Sequence, residues 1–485
     1  MVLIGIVITP LYLQYLGAEA YGLVGFFALM QAWMGLLDLG LSPTLGRQAA
    51  YARGQNNGFT VFKRLVKSFE VIFFALAVVI VTAIYSFSGW IAQSWIKVES
   101  LDVAILVYCI ILMGFMIGLR WFSGLYRSGI NGLEDQVWLN IANILIISLK
   151  FVGALVLLAF ISQDVRHFFE YQLAVGFIEV VIFSGRFYTR LPRTKEPISL
   201  VAFDWKEVKQ VAPFALSIAY TAGIWVLITQ TDKLILSGIL TLSEYGYFSM
   251  IALVAAGVTM MSSPISQAVM PRLTMLYSQG KKDDLLRLYG KASQFVTVIA
   301  LSVSLMVGLY AEPLIYAWSG NREAANWGAD ILIWFALGNG VLAIGAFQYY
   351  LQNAFGQLRL HVIGSTISAV IQVPLIFYAA LNYGAEGAGI AWLSFRVIWF
   401  LVWTPIVLSS FVPGFYIGWL FKQIMPIAVV TIAVALLVNE LATLNLEQNR
   451  LVLFVQMLGL GLVVLMISAS SSYAIRKTVL TKLKR

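Results

Sequence analysis

The chain has 485 residues, of which 60% are hydrophobic and 11% are charged, and its formal net charge is +9. A soluble domain carries about 25% charged residues, so this composition cannot cover a water-soluble surface. The basic residues lie in short segments between apolar runs, a pattern that orients membrane helices. The composition therefore excludes a soluble enzyme and argues against nucleic-acid binding.

Apolar runs near 20 residues long, enough to cross a hydrocarbon core of ~30 Å, recur from end to end. The first run lacks a charged leader and a cleavage site, so we interpret it as a retained span. The fold class predicted is an all-α polytopic membrane protein with about fourteen transmembrane helices. In chain order the predicted spans are 1–16, 21–45, 69–95, 103–126, 137–160, 168–189, 212–235, 245–270, 295–317, 329–352, 360–382, 386–409, 424–444 and 451–474.

The loops that follow every second span hold most of the Lys and Arg residues, notably 47–68, 186–210 and 272–293. The more basic side of a membrane protein faces the cytoplasm. We therefore predict that both termini are cytoplasmic. The opposite loops are short, about ten residues at most by the same span criterion, which leaves little room for an external catalytic site.

A weak internal repeat has a constant offset of 224 residues, which pairs Tyr21-Gly22 with Tyr245-Gly246 and Tyr126 with Tyr350. Parallel repeats of this kind are typical of transporters that rock around a central site. The repeat predicts two pseudo-symmetric six-helix bundles, and because residue 1 pairs with Trp225 inside a later helix, we expect a truncated first helix. The predicted divisions are an N-terminal bundle at 1–190, a cytoplasmic linker at 191–211, a C-terminal bundle at 212–410, and two added helices with a basic tail at 411–485.

The sequence contains few residues that could bind a metal ion or a nucleotide. Cys109 is the only cysteine, and His167 and His361 are the only histidines, so neither a disulfide framework nor a Cys/His metal cluster can form. No phosphate-binding G-x-x-x-x-G-K-[ST] motif occurs. We predict no metal, no cofactor and no catalytic residue, and an energy source other than ATP binding on this chain.

Several motifs resemble one transporter family over nearly the whole chain. Their order and spacing are similar to those of the oligosaccharide flippases in the polysaccharide-transport branch of the multidrug/oligosaccharidyl-lipid/polysaccharide exporter superfamily. The motifs are Tyr15 to Gly22, Leu37 to Ser42, Asp232 to Ser237, Tyr245 to Tyr247, Pro264-Ile265, Pro271 to Leu273, Trp318 to Asn321, Leu351 to Gly356 and Gly384 to Ala388.

The resemblance implies two six-helix bundles that face each other across a cavity, with two added helices. It further implies a bacterial inner-membrane protein that moves an undecaprenyl-diphosphate-linked oligosaccharide from the cytoplasmic to the periplasmic leaflet by alternating access. Expected partners are the lipid-linked oligosaccharide, membrane lipid, and the polymerase and chain-length proteins of polysaccharide assembly. No nucleic-acid partner is expected.

A flipped diphosphate needs cations in a lipid-shielded path, and ionisable groups at mid-membrane cost roughly 2.5–3.5 kcal/mol each, so they usually face a cavity or a partner. Four cations are candidates for substrate binding: Lys150, Arg396, Arg120 and Arg47. Three acids are candidates for binding a coupling ion: Asp38, Glu179 and Asp232. The alternatives are structural: a Lys150–Glu179 bridge, an Asp38 that caps its own turn or pairs with Arg47, and an Asp232–Lys233 pair near the interface.

Two polar or aromatic stripes are candidates for contact with sugar. Trp392, Trp399 and Trp403 share one helix face with Arg396, and tryptophan stacks on sugar rings and attracts cations. Asn140 and Asn143 share a face with Lys150 at helical spacing. The alternative for the tryptophans is packing against lipid and neighbouring helices, with one ring shielding Arg396.

Three other functions stay open from the sequence. A cation-coupled multidrug exporter of the same superfamily would favour acids in its cavity, whereas Lys and Arg outnumber acids among the deepest charges here. A membrane-embedded glycosyltransferase or ligase would need a large external loop. A structural scaffold would leave the buried charges unexplained.

Overall fold

The computed structural model describes residues 2–54, 58–192 and 203–476. Parts of the predicted linker and the end of the basic tail therefore lie outside the described residues. The helices of the described chain are α1 Val2–Leu16, α2 Ala18–Met34, α3 Leu41–Arg53, α4 Gly58–Trp90, α5 Val103–Gly132, α6 Gln136–Ser148, α7 Ala154–Phe160, α8 Val165–Arg190, α9 Trp205–Ile239, α10 Leu242–Ser278, α11 Lys282–Leu309, α12 Ala311–Ser319, α13 Arg322–Gly345, α14 Phe347–Ala354, α15 Arg359–Phe411, α16 Phe415–Trp419, α17 Met425–Leu441 and α18 Arg450–Ser471.

Twelve helical segments of the described chain are long and apolar enough to cross a membrane. One of them, α15, spans 53 residues and breaks at Gly384, where φ is 63° and ψ is −150°. This backbone conformation favours glycine, and it separates two helices where the sequence predicts a boundary between 382 and 386. With these halves counted separately and the 15-residue α1 added, the polytopic all-α fold of about fourteen helices is confirmed.

The chain forms two compact units, Met1–Gly246 and Tyr247–Arg485. The first unit includes α9, which the sequence analysis assigned to the C-terminal bundle. The boundaries predicted from the repeat, 190 and 212, stay a prediction. In the N-terminal unit, α5 packs against α3, α4 and α8, while in the C-terminal unit α13 packs against α11 and α15 and α17 packs against α11 and α18.

Three short π-helical turns interrupt the described helices: Ile91–Trp95, Leu149–Gly153 and Leu420–Ile424. A π turn shifts the backbone hydrogen-bond pattern and often marks a functional site. The apolar pattern of the sequence did not predict any of them. The second turn carries Lys150, and the third carries Lys422.

Candidate functional site

The π turn at Leu149–Gly153 is held by side chains from other helices. The Tyr12 hydroxyl donates a hydrogen bond of 2.8 Å to the carbonyl oxygen of Phe151. Tyr171 donates to the carbonyl of Leu149 at 2.8 Å, and the Gln172 amide donates to that of Lys150 at 2.9 Å. A backbone carbonyl without a partner is costly at membrane depth, so these three donors stabilise the irregular turn.

Gly153 leaves the room that one of these donors needs. A Cβ atom at this position would lie 1.9 Å from the Tyr171 hydroxyl oxygen, far inside contact distance. The glycine therefore allows Tyr171 to reach the turn. Together these contacts fix the backbone from which the Lys150 side chain extends.

A charge cluster forms where the turn meets α5 and α8. Lys150 Nζ lies 2.5 Å from Glu179 Oε2, and Arg127 pairs through Nη2 with Glu179 Oε1. The guanidinium of Arg127 also lies over the Phe183 ring, 4.8 Å from its centroid. We call Arg127, Lys150 and Glu179 the charge cluster.

The members of the charge cluster differ in exposure. The Glu179 side chain is 5% exposed, whereas the side chains of Lys150 and Arg127 are 32% and 35% exposed. A third cation, Arg120, lies on α5 two turns before Arg127 and donates to the Gln31 side chain. The cations thus extend from a buried carboxylate towards accessible surface, and positive charge exceeds negative charge.

The Lys150–Glu179 bridge was one of the alternatives predicted from the sequence, and the structure contains it. Arg127 was not predicted as a site residue, although residues seven positions apart, such as Arg120 and Arg127, share one face of a helix. Asn140 is exposed and Asn143 is half-buried. Neither asparagine makes a hydrogen bond to the charge cluster within the described ranges, so their contact with sugar stays a prediction.

Asp38 caps the start of α3. Its Oδ1 accepts a 2.6 Å hydrogen bond from the Ser42 hydroxyl and a 3.3 Å bond from the Ser42 amide. The chain before α3 turns through Leu39 and Gly40, whose φ angles are 51° and 70°. This is the capping role given as an alternative. Arg47, in contrast, lies over the Phe214 ring at 4.3 Å from the centroid.

Asp232 is buried in α9 with 3% of its surface exposed. Lys233 Nζ lies 3.6 Å from Asp232 Oδ1 and donates to the Thr229 carbonyl at 2.7 Å. The adjacent pair expected as an alternative is present. The roles of Asp38, Glu179 and Asp232 in binding a coupling ion stay predictions.

The tryptophan stripe of α15 is packed inside the C-terminal unit. The guanidinium of Arg396, which is 6% exposed, lies 4.2 Å from the centroid of the Trp392 ring. A Cβ at Gly338 would lie 2.3 Å from Trp392 Cδ1, and a Cβ at Gly364 would lie 2.3 Å from Trp403 Cε2. Both rings therefore rest on glycine backbone.

The third ring of the stripe is Trp399. Trp399 is half-buried and stacks between Phe395 and Trp403, with centroid distances of 5.5 Å and 5.1 Å. The structure brings the predicted residues together, but as packed rings of the kind named in the alternative. Their contact with a glycan stays a prediction.

A further group of contacts, which the sequence analysis missed, joins the segment after α4 to the connection between α9 and α10. Trp95 Nε1 donates to the Ser237 hydroxyl at 3.0 Å, and Lys97 forms an isolated parallel β-bridge with Thr241. The Ser243 hydroxyl donates to Glu99 Oε2 at 2.5 Å. We call the segments 95–101 and 237–243 the latch.

Glu19 holds the first latch segment from α2. Its carboxylate accepts hydrogen bonds from the amides of Glu99 at 2.7 Å and Leu101 at 3.0 Å, and from the Ser100 hydroxyl at 2.5 Å. Charge-assisted bonds of this kind are roughly twice as strong as neutral ones. Glu19 belongs to a motif that carried the family resemblance, and the structure gives it a role in anchoring a loop.

Two glycines that the 224-residue repeat pairs in sequence also lie against each other. A Cβ at Gly246 would lie 3.0 Å from the Gly22 backbone nitrogen and 2.5 Å from the carbonyl oxygen of Ala18. A Cβ at Gly22 would lie 2.0 Å from the carbonyl oxygen of Leu242. Small residues allow α2 and α10 to approach closely beside the latch, as at many membrane helix crossings.

The helix order and the break within α15 define a polytopic α-helical membrane fold over the described residues. In comparisons with solved structures, the chain is similar to the lipid II flippase MurJ in an inward closed conformation, with a TM-score of 0.72, 14% identity, and coverage of 97% of this chain and 96% of that one. It is also similar to an inward-facing multidrug resistance MATE transporter of the MOP superfamily, with a TM-score of 0.64, 16% identity, and coverage of 85% and 95%. These likenesses establish the fold.

A sequence relative points the same way. The chain is 22% identical over 385 residues to the "Putative O-antigen transporter" of Shigella flexneri, covering 79% of this chain and 88% of the relative. No protein-family model matches the chain. The resemblance predicted from the motifs is confirmed by this relative together with the shared fold.

Proposed function

We propose that this protein flips a polyprenyl-diphosphate-linked oligosaccharide across the inner membrane for polysaccharide synthesis. The observation that carries the proposal is the charge cluster, whose two cations are partly accessible. It lies in a fold that is similar to that of a lipid II flippase. Intramembrane charge of this kind usually serves a substrate path. The O-antigen transporter relative supports a glycan-linked substrate.

In this proposal Lys150, Arg127 and Arg120 receive the diphosphate. Phosphate oxygens accept charge-assisted hydrogen bonds from guanidinium and ammonium groups, and arginine does so with two parallel donors. Arg396, in the C-terminal unit, is buried against Trp392, and its contact with substrate stays a prediction. A site with excess positive charge also repels the cationic compounds that a multidrug exporter of the same fold would carry.

In this proposal the latch is the part of the protein that opens during transport. We assign the more basic loops and both termini to the cytoplasm, so the latch lies on the external side of the membrane. Its hydrogen bonds join the segment after α4 to the end of α9, so these two ends separate only if the bonds break. We propose that the latch is closed while substrate enters from the cytoplasmic leaflet and opens for release, with polymerase and chain-length proteins consuming the product.

Leaflet-resolved labelling of lipid-linked oligosaccharide in cells that lack the protein tests this function. Complementation with wild type should move the oligosaccharide to the outer leaflet, while Lys150→Gln should reduce the transfer by about 100-fold, since it removes a charged contact to phosphate. Lys422→Gln is the matched control, because Lys422 is exposed in the π turn of the C-terminal unit. Unchanged sidedness on deletion would contradict the proposal.

A further inference from the structure

The charge cluster already contains an anion, and its geometry is that of an occupied site. Each Glu179 oxygen takes one cation: Oε2 takes Lys150 at 2.5 Å, and Oε1 takes Arg127. A phosphate group would use the same two donors in the same way, with one oxygen for each cation. The carboxylate therefore occupies the charges that the substrate needs.

We propose that Glu179 is an internal competitor of the diphosphate, which holds the site in its empty state and returns to displace the substrate at release. The inference rests on the proposed function and names a regulatory residue within the same site. Glu179 acts on Lys150 and Arg127 rather than on a transported group. It is therefore a positioning residue for the two cations.

The difference in exposure supports exchange rather than a permanent bridge. The carboxylate side chain is 5% exposed, while about a third of each cation is accessible, so an incoming anion meets the cations and not the acid. The Lys150 backbone is fixed by Tyr12, Tyr171 and Gln172, which leaves its side chain as the part that moves.

The charges of the two competing anions indicate which of them the cations bind more tightly. Glu179 carries a single negative charge shared between two cations, and a diphosphate diester carries one charge on each phosphate. The diphosphate therefore gains more from the pair of cations, with Arg120 on the same helix as Arg127 as a further contact. The carboxylate in turn returns readily, because it stays tethered beside the cations at high effective concentration.

Binding to a competing internal group raises the apparent Kd by the inverse of the fraction of time the site is free. If the carboxylate holds the cations about 90% of the time, Glu179→Gln should bind diphosphate about ten-fold more tightly than wild type. The same change should slow flipping, because nothing displaces the ligand at release. Tighter binding with slower transport is a combination that loss of a structural bridge does not produce.

The experiment measures binding of farnesyl-diphosphate-linked N-acetylglucosamine, a diphosphate diester, to purified full-length protein by titration calorimetry, together with flipping by the same variants in cells. Glu70→Gln is the matched control, because Glu70 is a carboxylate of the same unit that pairs with Lys67 at 2.9 Å and with neither cation of the charge cluster. A similar gain in this control would show a general charge effect and overturn the inference. The Glu179→Gln, Lys150→Gln double variant should lose the gain.

Glu179→Asp provides a second route if the glutamine variant is unstable. Aspartate keeps the charge but is one methylene shorter, so it should hold the two cations less well, and its affinity should lie between wild type and glutamine. Unchanged or weaker binding in both folded variants would overturn the inference. If wild type neither binds this diester nor flips the oligosaccharide lipid, the proposed function itself fails, which is a different result.

Discussion

The two units hold the cations of their helices in different ways. In the N-terminal unit, Lys150 and Arg127 share one carboxylate and keep about a third of their side chains accessible. In the C-terminal unit, Arg396 is 6% exposed and lies against a tryptophan ring that rests on Gly338. An ion pair can exchange its anion for another, whereas a packed ring must unpack the core around it.

We therefore propose that the two units have different roles. The latch and the charge cluster, whose contacts can exchange, lie in the N-terminal unit, and the packed stripe of α15 lies in the C-terminal unit. Changes in the first region should alter transport more than stability. Changes in the second should alter stability more than transport per folded molecule.

The largest effect is expected when the latch is covalently closed. Lys97 and Thr241 form a β-bridge, and bridged backbones bring side chains near the Cα separation that a disulfide needs. The Lys97→Cys, Thr241→Cys variant should lose nearly all flipping when oxidised and regain it with reductant, measured by the leaflet assay. The native Cys109 is buried and so interferes little.

The single cysteine variants serve as controls for the latch and should flip normally under oxidation. Full flipping by the oxidised, cross-linked protein would show that this end does not open. It would also remove the proposed difference between the exchangeable contacts of the N-terminal unit and the packed stripe of the C-terminal unit.

A smaller effect is expected from overpacking the contact between Gly338 and Trp392. Gly338→Ala places a Cβ at 2.3 Å from Trp392 Cδ1, and overpacking of this kind costs about 1–3 kcal/mol. The thermal unfolding midpoint of purified protein should fall, while flipping per folded molecule changes little. Gly459→Ala, where a Cβ would have nothing within 4 Å, should leave the midpoint unchanged; a loss of flipping without loss of stability in Gly338→Ala would reverse the assignment.

The smallest effect is expected at the π turn. Gly153→Ala should push Tyr171 from its carbonyl and misplace Lys150, with a loss of flipping of about ten-fold, or 1.4 kcal/mol. The leaflet assay again gives the measurement. Gly176→Ala is the control, since its Cβ would meet Leu119 at an ordinary 3.6 Å. Normal flipping in Gly153→Ala would mean that the capped turn does not position the lysine.

The spans, the break at Gly384 and the Lys150–Glu179 pair could be predicted because they depend on local patterns: apolar runs, a glycine between two runs, and opposite charges on successive spans. The π turn could not, because its stabilising donors include Tyr12, far away in sequence. Arg127 was visible as a neighbour of Arg120 on one face, but only the packing of α5 on α8 shows that it reaches Glu179. Contacts of the latch depend on tertiary structure and leave no local pattern.

Transport by purified protein reconstituted into vesicles tests the central claim most directly. A polyprenyl-diphosphate-linked oligosaccharide would be placed in one leaflet and followed to the other, beside a lipophilic cation as the alternative cargo. The proposed function predicts that wild type moves the oligosaccharide lipid and that Lys150→Gln does not, with no transport of the cation. Movement of the cation alone, or equal movement by wild type and Lys150→Gln, would contradict it.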